Sequence, residues 1–242
     1  MTKNERLRTL AETLREQSVL RLREAATLLD VSEMTVRRDI AASPGTFTYL
    51  GGYIVRTSDV PNHTSYTIDE EKDHFAQAKA EASATAARII SDNETIFIDC
   101  GTTLTNLARM IPADLHLTVV CYSLNIAEIL RRKSNVRMIL LGGVYAPSSD
   151  SFASEESIDT LKRMGINKAF MSAGGVDEGR GVTCWNFHEV GIKQAAMASA
   201  VEKHLVIDTS KMGKVKAVRF SQLGDFDSLI TERGQSLRPL IE

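Results

Sequence analysis

Along the first part of the chain the apolar positions repeat at helical spacing, and then the period changes. Leu7, Leu10 and Leu14 form a stripe at three- and four-residue steps, which predicts an amphipathic helix from Lys3 to Glu16. A second helical pattern runs from Leu22 to Leu29, where Ala25, Ala26, Leu28 and Leu29 offer small and apolar side chains that let another helix approach closely. Asp30 ends it, because aspartate tolerates a left-handed backbone and bonds its own main chain. Ser32 is a good N-cap for a third helix, in which Val36 and Ile40 fall one turn apart and face inward. Apolar residues from Tyr49 to Val55 then flank Gly51-Gly52, the pattern of a short hairpin. Helix, helix-turn-helix and hairpin, in that order, make a winged helix.

The stretch from Arg56 to Asp73 is polar, contains Pro61, Asn62 and His63, and ends in an acidic run at Asp69, Glu70 and Glu71, so it reads as a linker. Beyond it lie an alanine-rich helix, Phe75 to Ile89, and five nearly continuous apolar runs. These are Thr95 to Asp99, Leu117 to Cys121, Val136 to Leu141, Lys168 to Ser172 and His204 to Asp208. Short apolar runs separated by helical segments are what strands buried on both faces look like. The expected class is α/β: a winged helix-turn-helix over residues 1–57, a linker over 58–73, and a mainly parallel α/β domain over 74–242.

In the third helix the inward Val36 and Ile40 leave Glu33, Thr35, Arg37 and Arg38 on the open side, next to the Ser32 cap. Arginine bonds guanine edges with both arms, and arginine, threonine and serine also take phosphates. Those five residues, with Tyr53 on the wing, are the candidate DNA contacts. Two adjacent arginines on a short helix are most often a solvated face, and it is the surrounding winged-helix pattern that gives these a role. Charge agrees without adding force: nine Lys and Arg stand against seven Asp and Glu up to residue 58, and twenty against twenty-four after it. So mild an asymmetry argues against a sequence-blind, charge-driven nucleic-acid binder and suits a module that gains affinity by presenting several copies, hence a homo-oligomer.

Ligands of open α/β sheets sit beyond the carboxyl ends of the strands. The first run there ends in Asp99-Cys100-Gly101-Thr102-Thr103 and opens a helix near Leu104. Glycine admits an anion close to the backbone, threonine hydroxyls donate, and the helix N-terminus adds positive potential, which together make a phosphate cradle. A Gly-Thr-Thr turn alone is more often a simple helix cap. Yet the next strand ends carry Tyr122-Ser123-Leu124-Asn125, Gly142-Gly143 and Ser172-Ala173-Gly174-Gly175, so one polar rim of small residues accounts for all four. Glu189 and Lys193, four apart on a predicted helix from about Asn186, read by themselves as an ordinary ion pair. His188 reads as a surface or capping residue, and Trp185 as core or pocket wall.

DVSEMTVRRDI followed by YLGGYIV resembles the amino-terminal domain of the DeoR family of bacterial sugar-metabolism repressors, and FIDCGTT and VVCYSLN extend the likeness into the second half. Two features depart from the family pattern: Asp30 stands where glycine is usual in the turn, and the connection from Ala41 to Phe47 is short. The resemblance implies a sensor domain like ribose-5-phosphate isomerase. It also implies a phosphorylated sugar as effector, deoxyribose 5-phosphate foremost, and operator DNA of a sugar or deoxynucleoside catabolic operon as target. By the same resemblance Glu189 and Lys193 line the sugar-phosphate pocket, Asp208 and Lys211 occupy matching positions, and Lys211 neutralises the phosphate. The expected effector set is thus Asp99, Gly101, Thr102, Thr103, Tyr122, Ser123, Asn125, Gly142, Gly143, Ala173, Gly174, Glu189, Lys193, Asp208 and Lys211.

Cys100, Cys121 and Cys184 are unevenly spaced with no CxxC pair, so neither a disulfide framework nor a zinc site is expected. No metal, cofactor or catalytic residue is expected. The amino-terminal residues lack the apolar stretch of a secretory signal, and no window approaches about 18 uninterrupted apolar residues, so the expected location is cytoplasmic, with no membrane partner. A competing reading is a sugar-phosphate isomerase or deaminase with an added amino-terminal module, drawing an acid and a base from Asp99, Glu189 and Asp208. It leaves the Arg37-Arg38 helix without a task.

Overall fold

The computed structural model describes residues 1–17, 19–43, 46–50, 53–56 and 75–237. The Gly51-Gly52 turn and the 58–73 linker expected from the sequence lie outside them. The chain divides into two compact units, Met1–Thr64 and Ser65–Glu242.

In the first unit α1 (Lys3–Gln17) buries Leu10 and Leu14 completely and lays Leu7 against the same core. After it come β1 (Val19–Arg21), α2 (Leu22–Leu29), α3 (Glu33–Ala41), β2 (Phe47–Leu50) and β3 (Tyr53–Arg56). Asp30 takes φ 52° and ψ 50°, the left-handed turn expected of it, and its N–H caps α2 on the Ala26 and Thr27 carbonyls. Ser32 caps α3, its Oγ accepting the Thr35 N–H at 3.2 Å. The core joins Leu20, Leu22, Ala25, Leu29, Val36, Ile40, Phe47 and Ile54. Leu28 is a correction to the sequence reading: it is 49% exposed, because inward positions 22, 25, 26 and 29 leave it about 100° around the helix. Strand β1, too short to show a period, was not foreseen. It pairs antiparallel with β3, which also pairs with β2, giving the order β1-β3-β2. Arg6 Nε meets Asp39 Oδ2 at 2.7 Å and ties α1 to the back of α3, with side-chain exposures of 12% and 6%.

The second unit is built on a seven-stranded sheet ordered β15-β14-β12-β9-β4-β5-β6. Its strands are β4 (Thr95–Ile98), β5 (Leu117–Cys121), β6 (Val136–Leu140), β9 (Ile166–Met171), β12 (Ala200–Val206), β14 (Ser228–Thr231) and β15 (Gly234–Leu237). All pair in parallel except β15, which runs antiparallel to β14. The five expected strands are therefore present. Missing from the sequence reading are β14, β15 and the smaller pieces: the hairpin of β7 (Val144–Ala146) with β8 (Ser151–Ala153), and the sheet of β10 (Gly175–Asp177), β11 (Gly181–Cys184) and β13 (Val218–Ser221). Three- and four-residue strands give too few alternations to register as a pattern.

Helices α4 (Ala76–Ala87), α5 (Thr102–Met110), α6 (Leu124–Leu130), α7 (Glu155–Leu161) and α8 (Phe187–Ser199) flank the sheet. The alanines of α4 allow α5 close enough for Ser83 Oγ to donate to the Thr103 carbonyl at 2.8 Å. The arrangement fixes the site. From β4 the chain builds β5 and β6 to one side, then returns to lay β9, β12 and β14 on the other, so the order reverses between β4 and β9. At such a reversal the two connections leave in opposite directions and open a crevice at the strand ends.

Candidate functional site

On α3, Glu33, Arg37 and Arg38 are exposed, while Val36, Asp39 and Ile40 are buried. The open face read from the sequence is thus the open face of the folded helix. Ser32 and Thr35 are engaged with each other as well as with the cap, their hydroxyl oxygens 2.9 Å apart. Tyr53 pairs through its backbone with Leu50 and Arg21; its side chain lies outside the described residues.

In the second unit a cavity occupies the crevice between the ends of β4 and β9. One wall is the turn into α5: Cys100, Gly101, Thr102 and Thr103. Gly101, not Leu104, marks the helix start, and the N-terminal backbone of α5 faces the cavity. A β-carbon on Gly101 would sit 2.2 Å from Ser172 Oγ and 2.5 Å from Ser172 Cβ, so only glycine lets the two strand ends approach this closely. The opposite wall is Ser172, Ala173 and Gly174 after β9, and Cys184, Trp185, Glu189, Lys193 and Lys211 complete the lining.

Beneath the cavity Asp99 and Lys193 form an ion pair whose side chains are 0% and 1% exposed. Asp99 Oδ2 also accepts the Ser172 N–H and Oγ–H, each at 2.8 Å, and Oδ1 accepts the Tyr122 hydroxyl at 2.6 Å and the Cys100 N–H at 2.9 Å. Burial pushes the Asp99 carboxyl upward, but the Lys193 charge and these hydrogen bonds outweigh it and hold the group ionised, below the usual carboxylate range. Burial likewise opposes the Lys193 charge, and Asp99 overcomes it, leaving the ammonium well above its ordinary pKa. Glu189 Oε2 stands 3.5 Å from the same ammonium, its Oε1 held by Asn186 Nδ2 at 2.7 Å. Glu189 and Lys193 thus form an ion pair four residues apart, and both line the cavity.

Other expected residues stand behind this surface. Tyr122 and Asp99 are sealed below it, Asn125 Nδ2 donates to the Cys100 carbonyl at 3.1 Å and braces the turn, and Ser123 Oγ is buried with no hydrogen-bond partner among the described residues. Gly142 and Gly143 are not in the lining. The Gly142 carbonyl accepts Ser157 Oγ at 2.7 Å, and Gly143, at φ 141°, packs against the Ala153 backbone. Asp208 caps the 3-10 turn Thr209–Lys211 that carries Lys211 to the cavity, but does not line it. Sequence reasoning missed Cys100, Ser172 and Cys184 as lining; Trp185 is pocket wall, with the Lys216 ammonium 4.0 Å from its ring centroid.

Burial pushes the Cys100 thiol well above its ordinary pKa, and Cys121 up to about 12, so both favour the protonated form. His188 lies outside the lining, its Nε2 3.0 Å from Ser149 Oγ, and burial lowers its pKa. Among the described residues no group of three or more His, Cys, Asp or Glu is placed to hold a metal, and no helix is long and apolar enough to cross a membrane.

Comparison with known proteins gives a consistent pattern. The DeoR-like helix-turn-helix domain family matches residues 6–57, and the DeoR C terminal sensor domain family matches residues 74–233. The chain is 36% identical over 230 residues to the deoxyribose operon repressor of Escherichia coli K12, covering 95% of this chain and 90% of that protein. It is 32% identical over 236 residues to the lactose phosphotransferase system repressor of Streptococcus mutans, covering 96% and 93%. Among solved structures, eIF2B beta from Chaetomium thermophilum gives a TM-score of 0.52 at 17% identity, covering 70% of this chain and 55% of that one, a likeness of fold alone.

Proposed function

Because the chain belongs to the DeoR family of DNA-binding transcriptional regulators, we propose that it represses a sugar or deoxynucleoside catabolic operon and is induced by deoxyribose 5-phosphate. It is a regulator rather than an enzyme: relatives matching nearly its whole length are named repressors, and a helix-turn-helix domain precedes the sensor domain. In our reading residues 1–57 bind operator DNA, 58–73 link, and 74–242 bind effector and assemble subunits in the cytoplasm. Arg37 and Arg38 take base edges or phosphates, with Glu33, Tyr53 and the Ser32–Thr35 cap beside them.

The observation that carries the effector assignment is the mixed chemistry of the residues lining the cavity at the β4–β9 reversal. The α5 N-terminus with Gly101, Thr102 and Thr103, together with Lys211, suits a phosphate dianion. Glu189 and Lys193, the latter paired with buried Asp99, offer acceptor and donor to sugar hydroxyls. Repression needs more than one copy, since a single module with so little excess charge binds DNA weakly. The sugar phosphate releases DNA only by as much as it favours the arrangement of subunits that cannot bind, so the effect is a population shift.

The test is a fluorescence-anisotropy titration of the protein onto its own upstream DNA at fixed salt, repeated with deoxyribose 5-phosphate, ribose 5-phosphate and unphosphorylated deoxyribose. Release by deoxyribose 5-phosphate alone is the expected result. Tight binding indifferent to all three discards the effector and keeps the DNA-binding regulator.

A further inference from the structure

The first turn of α3 holds an apolar side chain that the fold does not use. Met34 is 71% exposed, and the hydrophobic core of its unit closes around Val36 and Ile40 without it. Ser32 and Thr35, on either side of Glu33 and Met34, direct their hydroxyls to each other and to the helix cap. Met34 instead shares the open face with Arg37 and Arg38, three and four residues further on. A single exposed methionine on a protein surface is ordinary. Here it stands among the N-terminal residues of the helix that follows the turn, the ones that reach base edges when such a helix enters a major groove. The one apolar group that base edges present there is the thymine C5 methyl.

We propose that Met34 is a specificity-determining residue, reading a thymine methyl in the operator beside the contacts of Arg37 and Arg38. The thioether's three rotatable bonds let it settle on a methyl whose position varies slightly from site to site. The inference rests on the operator-binding reading above and adds the base class that the exposed face selects: arginine for guanine or phosphate, methionine for thymine.

The full chain is used to select a tight duplex from a randomised DNA pool, and anisotropy titrations are then run with each thymine in turn replaced by uracil, which lacks only the methyl. Wild type is expected to lose about four-fold in affinity at one thymine per half-site, the effect of one methyl leaving an apolar contact. Met34→Ala is expected to lose a similar factor per half-site on the thymine duplex and nothing more on replacement of that thymine by uracil, while Leu28→Ala, exposed on α2, keeps the preference for thymine. A wild type indifferent to every replacement, or a Met34→Ala protein that still prefers thymine at the same position, overturns the proposal. Recovery of no specific duplex would overturn the operator-binding reading itself, and the proposal with it. Circular dichroism of Met34→Ala, and a Met34→Leu variant expected to restore the preference for thymine, separate loss of the contact from loss of the fold.

Discussion

Arg37 and Arg38 stand in solvent on α3, whereas Lys193 is 1% exposed and sealed against Asp99, which is 0% exposed. The first pair stays exposed on a short helix that the Ser32 cap starts. The second gives up hydration on both partners and is tolerable only because Ser172 and Tyr122 converge on it from two other strand ends, joined by Cys100 next to Asp99 and Glu189 one turn from Lys193. On the proposed function, the first surface meets a long polyanion through water, and the cavity fixes its charges before a small anion arrives.

The largest effect expected of any substitution follows from that contrast. Lys193→Ala leaves Asp99 buried without its counter-ion and should cost about 3–5 kcal/mol of stability in the sheet unit. Urea unfolding followed through Trp185, the only tryptophan, reads that unit directly. The pH dependence carries the sign. Asp99 is held below its ordinary pKa, so its contribution is present above about pH 4 and lost as pH falls through the depressed value; Lys193 is held high, so its share is lost only as pH rises through the raised one. In Lys193→Ala the orphaned carboxyl prefers its proton, and the deficit against wild type should shrink on acidification from pH 7 toward 4. A deficit that stays constant over that range would mean Asp99 is not the buried charge that matters. The double variant Asp99→Asn, Lys193→Met should lie closer to wild type than Lys193→Ala does.

Arg37→Ala and Lys211→Ala test whether the two units divide the work. The first should lose about 1–3 kcal/mol of operator binding, if Arg37 reads a base, and keep its sugar-phosphate affinity. The second should do the reverse. Gly101→Ala belongs with Lys211: its new methyl meets Ser172 at 2.2 Å, and Ser172 is held in place by Asp99, so relief must come from the strand ends themselves. About 1–3 kcal/mol of stability should go with it. The protein should still bind operator and no longer release it on adding effector, which paired calorimetric and gel-shift titrations would show. Normal induction in Gly101→Ala would remove the β4–β9 crevice from the site.

The same contrast explains what could be read in the sequence. The helix-turn-helix is local, so Asp30, Ser32, Val36 and Ile40 announce it within eleven residues, and even the left-handed Asp30 follows from its side chain. That Gly101 and Thr102 border a crevice was legible because a parallel sheet opens one beyond its strand ends. What could not be read is who meets whom across the reversal. Ser172 as the partner of Asp99 and the withdrawal of Gly142, Gly143 and Asp208 from the cavity depend on the order in which strands assemble, not on any local period. Leu28 went wrong for a smaller reason, since an apolar residue beside an apolar stripe looks like part of it.

The smallest effect separates two roles that coincide in one residue. Ser32 caps α3 and was also read as a DNA contact. Ser32→Ala should cost about 1 kcal/mol of stability in the first unit, and Ser32→Gly only a few tenths, by loss of the acceptor for the Thr35 N–H. Neither substitution says whether DNA is touched. Ser32→Asp does, because aspartate caps as well as serine but places a negative charge at the helix start. If Ser32 faces a phosphate, Ser32→Asp keeps its melting temperature and loses operator affinity, most strongly at low salt, where repulsion is least screened. If it is a cap alone, stability and affinity both stay at the wild-type level, and the DNA face of α3 begins at Glu33.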